Sequence, residues 1–141
     1  MRILLFIFSI VTLVFASGCT STSFQIHSPA GLENTKWVLD SLNGSKITTG
    51  KGEEITLSFD SNTKNYNGFG GCNNYSGTLK KELDKLTFSS MGSTKMNCDD
   101  MKNEMSFFDE LPKTEKYDTK NNNLYLFNKS GTIIMVFHSK D

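Results

Sequence analysis

A glycine-rich stretch with a cysteine inside it, residues 66–77, constrains this chain more than any other part of its sequence. It reads Tyr-Asn-Gly-Phe-Gly-Gly-Cys-Asn-Asn-Tyr-Ser-Gly. Three glycines at 68, 70 and 71 weaken a strand unless the backbone needs a bulge, a bend or the close approach of another segment. A phosphate-binding loop also uses glycines, but it requires a helix directly afterwards. Because residues 75–79 have the composition of a strand, the stretch predicts a bend within a β structure.

The N-terminus has the pattern of an export signal. Arg2 precedes an apolar run over residues 3–15, which is shorter than the roughly 20 residues of a membrane-spanning helix. Residues 1–18 are therefore predicted to be a signal peptide. The run ends in Ala-Ser-Gly-Cys at 16–19, which resembles a bacterial lipobox, so Cys19 is the expected lipidation site. The alternative is an ordinary secretory signal that is cut nearby and leaves Cys19 as a free thiol.

A lipid anchor implies a location. Two acyl chains hold a protein firmly on a bilayer, whereas one is marginal, so the membrane is an expected partner through Cys19. The residue directly after the cysteine is Thr20 and not an aspartate. By resemblance to Gram-negative lipoproteins, this favours the outer membrane facing the periplasm. Residues 19–34 are polar and aperiodic and are predicted to be a flexible tether, in which His27 is interpreted as a solvated loop residue.

The charge balance argues against a nucleic-acid partner. Lysine and arginine together number 15, as do aspartate and glutamate. The one arginine, Arg2, precedes the apolar run, so the predicted domain has no guanidinium group for phosphate recognition. No cofactor and no metal are predicted.

The remainder, residues 35–141, is predicted to form one mainly β domain of about eight short strands with a single amphipathic helix. Ile55, Leu57 and Phe59 alternate with polar residues, which indicates a strand with one buried face. Trp37 is expected in the core of the first strand, and the turn after it is predicted at Asn43-Gly44. The other predicted strands cover residues 64–69, 75–79, 85–89, 115–119, 124–128 and 132–138.

The predicted helix follows Cys98. An apolar stripe recurs at spacings of three and four, which indicates a helix of about four turns that packs its methionines on the core. Asn97 is the expected N-cap, and Pro112 ends the helix. The stripe consists of Cys98, Met101, Met105, Phe108 and Leu111.

Two cysteines remain after Cys19 is assigned to lipid. Cys72 and Cys98 belong to a chain predicted to reach an oxidising compartment, which favours a disulfide between them. It would join the glycine-rich bend to the start of the helix. Two alternatives stay open: a reactive thiol that works with His138, and a zinc site, for which both Cys-x-x-Cys pairs are missing.

These residues together resemble the META domain of HslJ-like bacterial lipoproteins. The resemblance covers about residues 32–137, and its most specific parts are Gly-Gly-Cys-Asn-Asn-Tyr-Ser-Gly at 70–77 and Thr-Lys-Met-Asn-Cys at 94–98. Asn97 stands where the family commonly has alanine. Glu104 with Leu111 also belongs to the likeness. The motif positions, expected to be structural, are Trp37, Gly70, Gly71, Asn73, Tyr75, Gly77, Thr94 and Met96.

The resemblance implies a compact antiparallel sheet curled like a small lipocalin-type barrel, with one helix and without an established catalytic activity. It also associates the family with heat shock, envelope stress and novobiocin resistance. The first hypothesis is a non-catalytic envelope lipoprotein that acts as a binding or stress-tolerance module. The alternatives are a carrier of a small apolar ligand and an inhibitor of an exogenous hydrolase. An enzyme ranks last, because His27 and His138 have no paired acid or nucleophile in the sequence; no catalytic residue is predicted.

Overall fold

The computed structural model describes residues 31–50, 54–99 and 101–140 of the 141-residue chain. The predicted signal peptide, Cys19 and His27 lie outside the described residues. The strands are β1 (Lys36–Leu42), β2 (Ser45–Lys46), β3 (Thr56–Phe59), β4 (Asn65–Phe69), β5 (Asn74–Glu82), β6 (Lys85–Ser93), β7 (Lys116–Lys120), β8 (Asn123–Phe127) and β9 (Ile133–Lys140). The helix α1 spans Lys102–Glu110, and a 3-10 turn, Leu111–Lys113, follows it.

The strands form one antiparallel sheet that closes into a ring. From β3 to β9 each strand pairs with the next, and β1 pairs with β3 on one side and with β9 on the other. β2 adds a short hairpin to the end of β1. The turn of that hairpin has positive φ at both Asn43 (49°) and Gly44 (77°), as its sequence predicted. The predicted fold class is confirmed, and the closure removes the unpaired edges that an open sheet would expose.

The number of paired residues between neighbouring strands differs around the ring. β1 and β9 share six registered residue pairs, from Lys36 with Lys140 to Leu42 with Met135. β6 and β7 share one, Lys85 with Lys116. The 3-10 turn packs beside β6, so the chain between β6 and β7 occupies the part of the wall that strand pairing leaves open.

Large side chains fill the ring. Alternate residues of each strand point inward, and the core contains Trp37, Tyr66, Phe107 and Phe137, all at most 1% exposed. Trp37 is therefore a core residue, as predicted, and its Nε1 donates to the carbonyl oxygen of Leu32 at 3.0 Å. Leu32 itself is buried in the core. The last residues of the predicted tether thus pack on the domain.

The helix differs from its prediction in start, length and buried face. It begins at Lys102, and its N-cap position is Met101, without a side-chain cap, so the predicted cap at Asn97 is wrong. Its buried residues are Glu104 and Phe107, with Leu111 in the following turn, whereas Met105 is 62% exposed. Glu104 and Phe107 take the buried positions that the stripe assigned to Met105 and Phe108, whereas Leu111 is buried as predicted. A glutamate with partners inside the fold is buried instead.

No helix among the described residues has the length and the apolar character needed to cross a bilayer.

Candidate functional site

The motif segments meet around the side chain of Glu104, in a cluster that we call the motif junction. It comprises residues 70–73 between β4 and β5, residues 94–98 after β6, and Glu104 on α1. β4, β5 and β6 place the first two segments side by side, because Phe69 pairs with Asn74 and Tyr75 pairs with Ser93. The helix then carries Glu104 into the space between them.

The carboxylate of Glu104 accepts three hydrogen bonds from the glycine-rich segment. Its Oε2 accepts from the backbone N–H groups of Cys72 (3.0 Å) and Asn73 (2.6 Å). Its Oε1 accepts from Nδ2 of Asn73 at 2.7 Å. Glu104 is only 3% exposed. Two successive backbone N–H groups that converge on one oxygen form a compact anion-binding nest, and here the anion is the chain's own side chain.

Asn73 links Glu104 to the second motif segment. Its Oδ1 accepts from Thr94 Oγ1 (2.8 Å) and from the backbone N–H of Met96 (2.7 Å). Its Nδ2 donates to the backbone oxygen of Met96 (3.3 Å) as well as to Glu104. A side-chain amide can make four hydrogen bonds, and this one makes all four inside the protein. Asn73 therefore has a structural role and no remaining group for a ligand.

Cys72 and Cys98 form a disulfide beside these hydrogen bonds, with a Cα–Cα distance of 6.1 Å. The pairing is the one that the sequence favoured. A sulfur in a disulfide is neither a nucleophile nor a zinc ligand. His138, the proposed partner of a reactive thiol, instead lies on β9, where its Nδ1 is 2.8 Å from Oδ1 of Asp40.

The two glycines before Cys72 are explained by the junction. Gly71 has a φ of 108°, in the region that side chains rarely adopt. A Cβ on Gly70 would lie 2.7 Å from Oε2 of Glu104 and 2.7 Å from Cζ of Phe108. Gly70 therefore lets α1 approach the bend closely enough for Glu104 to reach its partners.

The aromatic motif residue Tyr75 fixes the inner side of the same region. Its hydroxyl donates to the backbone oxygen of Thr56 at 2.6 Å. Burial, with a smaller contribution from nearby Tyr66, raises the pKa of the Tyr75 phenol well above its usual value. Thr56 is also buried and accepts from the backbone N–H of Phe69 at 3.1 Å. The alternating sequence pattern predicted that the Thr56 side chain faces solvent. This prediction is wrong, because its hydroxyl bonds within the sheet.

Gly77 and Gly92 provide a matched pair for testing the motif. A Cβ on Gly77 would lie 2.6 Å from the hydroxyl oxygen of buried Tyr66, whereas a Cβ on Gly92 would meet nothing within 4 Å. We expect Gly77→Ala to lower the free energy of unfolding by about 2 kcal/mol through overpacking. Gly92→Ala is expected to change it by less than about 0.5 kcal/mol. Urea unfolding of both variants measures the difference, and equal effects would contradict a packing role for Gly77.

The remaining motif positions lie at the edge of the junction. Thr94 Oγ1 accepts from the backbone N–H of Asn74 at 3.2 Å, in addition to its bond with Asn73. The side chain of Met96 is 58% exposed, so its backbone, not its thioether, takes part. The expectation that the methionines of the helical stripe pack in the core is wrong for Met105, which is 62% exposed.

Sequence reasoning missed how the motif works. Glu104 was part of the family likeness, but its contacts were not predicted. The available signal was an acidic residue three positions before Phe107 on the apolar side of a helix, at a position where a charge needs partners.

The motif junction holds three chain segments together through bonds among its own groups, and we therefore also call it the clasp. Its carboxylate, its side-chain amide and both its sulfurs are bonded to one another or to the backbone. Over residues 31–50, 54–99 and 101–140, no three His, Cys, Asp or Glu side chains are placed to hold a metal ion. A small pocket of about 70 Å³ reaches Gly70, Gly71 and Glu104 of the junction. A larger groove of about 520 Å³ runs over the outer face of β4, β5 and β6 and extends to Thr94 at the edge of the junction.

Comparisons with known proteins agree with this architecture. The family model of the META domain matches residues 30–141. An NMR structure of a protein from Burkholderia xenovorans is 24% identical, with a TM-score of 0.62, over 77% of this chain and 83% of that one. A second NMR structure is also 24% identical, with a TM-score of 0.60, over 76% and 90% of the two chains. The comparison with curated proteins finds no match.

The fold and the clasp define a class of small closed β barrels in which one helix locks a glycine-rich bend. The chain belongs to the META domain family, whose model covers the whole described part of it.

Proposed function

We propose that this protein is a non-catalytic, membrane-anchored envelope lipoprotein whose META domain acts as a binding or stress-tolerance module. Its anchor is the lipid-modified Cys19, and its location is the periplasmic face of the outer membrane. The lipobox-like residues 16–19 and the following Thr20 support the anchor and the location. The disulfide suits an oxidising compartment.

The observation that carries the proposal is the internal use of the motif. The hydrogen-bonding atoms of Asn73 and Glu104 are bonded to one another, to the Thr94 hydroxyl and to the backbone. A catalytic constellation needs a nucleophile, acid or base directed at a substrate. The most distinctive residues of this chain are used to hold a scaffold together, which leaves the loops and the outer face of the barrel for recognition.

The packing of the ring does not favour the carrier alternative. A lipocalin-type carrier needs an internal cavity for its ligand. The side chains of Trp37, Leu57, Tyr66, Phe107 and Phe137, each at most 1% exposed, occupy the interior here. Inhibition of an exogenous hydrolase has no specific observation in its favour.

Deletion and complementation test the proposal. A strain without the gene is expected to lose survival under heat, detergent or novobiocin, and the wild-type gene is expected to restore it. Cys19→Ser is expected to restore it poorly and to release the protein from the membrane fraction, with a mass that lacks the lipid. Unchanged survival of the deletion strain under all three stresses would refute the stress role. A membrane-extracted wild-type protein without acyl mass would refute the anchor.

A further inference from the structure

The turn between β5 and β6 carries the most exposed large apolar side chain among those described. Leu83 is 93% exposed and has a φ of 55°. It lies in a two-residue turn, since Glu82 pairs with Lys85. Asparagine and glycine suit this backbone region, and asparagine occupies it at positions 43, 121 and 122 of the same chain. A branched apolar residue here is unfavourable in the backbone and in solvent, and at 93% exposure it is not compensated by packing on the other described residues.

Lysines surround this leucine. Lys80 and Lys81 precede it on β5, Lys85 follows it on β6, and Lys116 is the register partner of Lys85. Like charges directly opposite each other destabilise a sheet. Three of the lysines have exposed or half-exposed acidic partners, namely Glu82, Glu33 and Asp84, which leaves the group with a net charge of +1, four lysines minus three carboxylates. Exposed ion pairs of this kind are weak.

The described part of the chain begins at the same end of the barrel. Leu32 is buried in the core, and the next residue, Glu33, pairs with Lys81, two residues from Leu83. Twelve residue steps separate Cys19 from Gly31, a span of at most about 40 Å even when fully extended. An anchor at Cys19 would therefore be attached at this end of the barrel and keep it within reach of the bilayer. The motif junction lies at the other end of β5, roughly 26 Å away at about 3.3 Å per residue.

We propose that Leu83 and the adjoining lysines form a membrane-docking tip that inserts into an anionic phospholipid surface. Leu83 enters the acyl boundary, and Lys80, Lys81, Lys85 and Lys116 lie at the depth of the phosphate groups, with their aliphatic stems along the interface. Docking fixes the orientation of the domain on the membrane and turns the motif junction away from it. The inference rests on the membrane anchor of the proposed function.

Fluorescence quenching tests the orientation, because Trp37 is the only native tryptophan and is completely buried. Leu83→Trp and Met105→Trp each add one exposed reporter, at opposite ends of the barrel. The full chain, extracted from membranes, is reconstituted into vesicles of phosphatidylethanolamine and phosphatidylglycerol with brominated acyl chains. We expect the vesicles to quench the added emission of Leu83→Trp at least twofold more strongly than that of Met105→Trp.

The outcomes separate the inference from the anchor. Protein that floats with the vesicles while both variants are quenched equally, or not at all, overturns the docking tip and leaves the anchor standing. Protein that does not float with the vesicles contradicts both. Vesicles of phosphatidylcholine with the same brominated chains are the lipid control. Quenching there as strong as in the anionic vesicles overturns the preference for anionic lipid.

Discussion

Replacing Glu104 with alanine is expected to lower the free energy of unfolding by about 3 to 5 kcal/mol. The change leaves three buried N–H groups without an acceptor, namely the backbone N–H groups of Cys72 and Asn73 and one of the two N–H groups of the Asn73 side-chain amide. Each unsatisfied buried group costs about 1 to 3 kcal/mol, and water that enters the space recovers part of this. Chemical denaturation monitored by the fluorescence of Trp37 measures the loss.

Two further variants define the cause. Asp109→Ala removes a carboxylate from the exposed side of the same helix and is expected to stay within about 0.5 kcal/mol of the wild type. Glu104→Gln keeps one acceptor oxygen but turns an N–H₂ group towards the donors, so its loss is expected to lie between the other two. A Glu104→Ala variant as stable as Asp109→Ala would show that the clasp does not hold the fold.

Loss of the disulfide has the second large expected effect. Cys72→Ser combined with Cys98→Ser opens a link across 26 positions, which is worth about 3.5 kcal/mol in the chain-entropy model. The segment 94–98 would then be held to the bend mainly through Asn73. We expect the urea midpoint to fall accordingly, while the far-ultraviolet spectrum of the folded state is retained.

Reduction of the wild type provides the independent check. Protein treated with a thiol reductant is expected to unfold at the midpoint of the double variant, and Gly92→Ala serves as a substitution control in the same region. Thiols at 72 and 98 that alkylate in unreduced protein would contradict the bond. Equal midpoints with and without reductant would contradict its stabilising role.

The strands were largely predictable because their signals are local. Ile55, Leu57 and Phe59 alternate with polar residues in the sequence and point into the core in the structure, each at most 3% exposed. The turn at Asn43-Gly44 follows from two residues that accept positive φ. The closure of the ring was implied only by the family resemblance, since the pairing of β1 with β9 joins segments about 100 residues apart.

The helix was predicted less well because tertiary contacts override its local pattern. Residues 94–98 are tied to Asn73 and to the disulfide. The helix begins only at Lys102, whereas the spacing of apolar residues placed its first turn directly after Asn97. Burial of Glu104 then rotates the helix relative to the expected stripe and leaves Met105 exposed. A method based on hydrophobic spacing cannot foresee a buried charge whose partners lie 31 and 32 residues earlier in the chain.

Part of the candidate site could be predicted from the sequence. The glycines, Asn73, Thr94 and the cysteines were identified as a structural unit, and the structure brings all of them together. The hydrogen bonds that hold the unit together depend on Glu104, and the buried face of its helix was not predicted correctly from the sequence. The motif residues are used in building the clasp, so they do not specify a binding partner.

The pairing of β1 with β9 has a consequence for how the molecule is made. Residues 36–42 are among the first of the domain to be synthesised, and their partners 135–140 are among the last. Contacts of such high sequence separation slow folding. Until β9 forms, β1 and β8 each have one edge without a paired strand. The barrel is therefore completed only when nearly the whole domain is available, an order of events that fits the proposed export of an unfolded chain across a membrane.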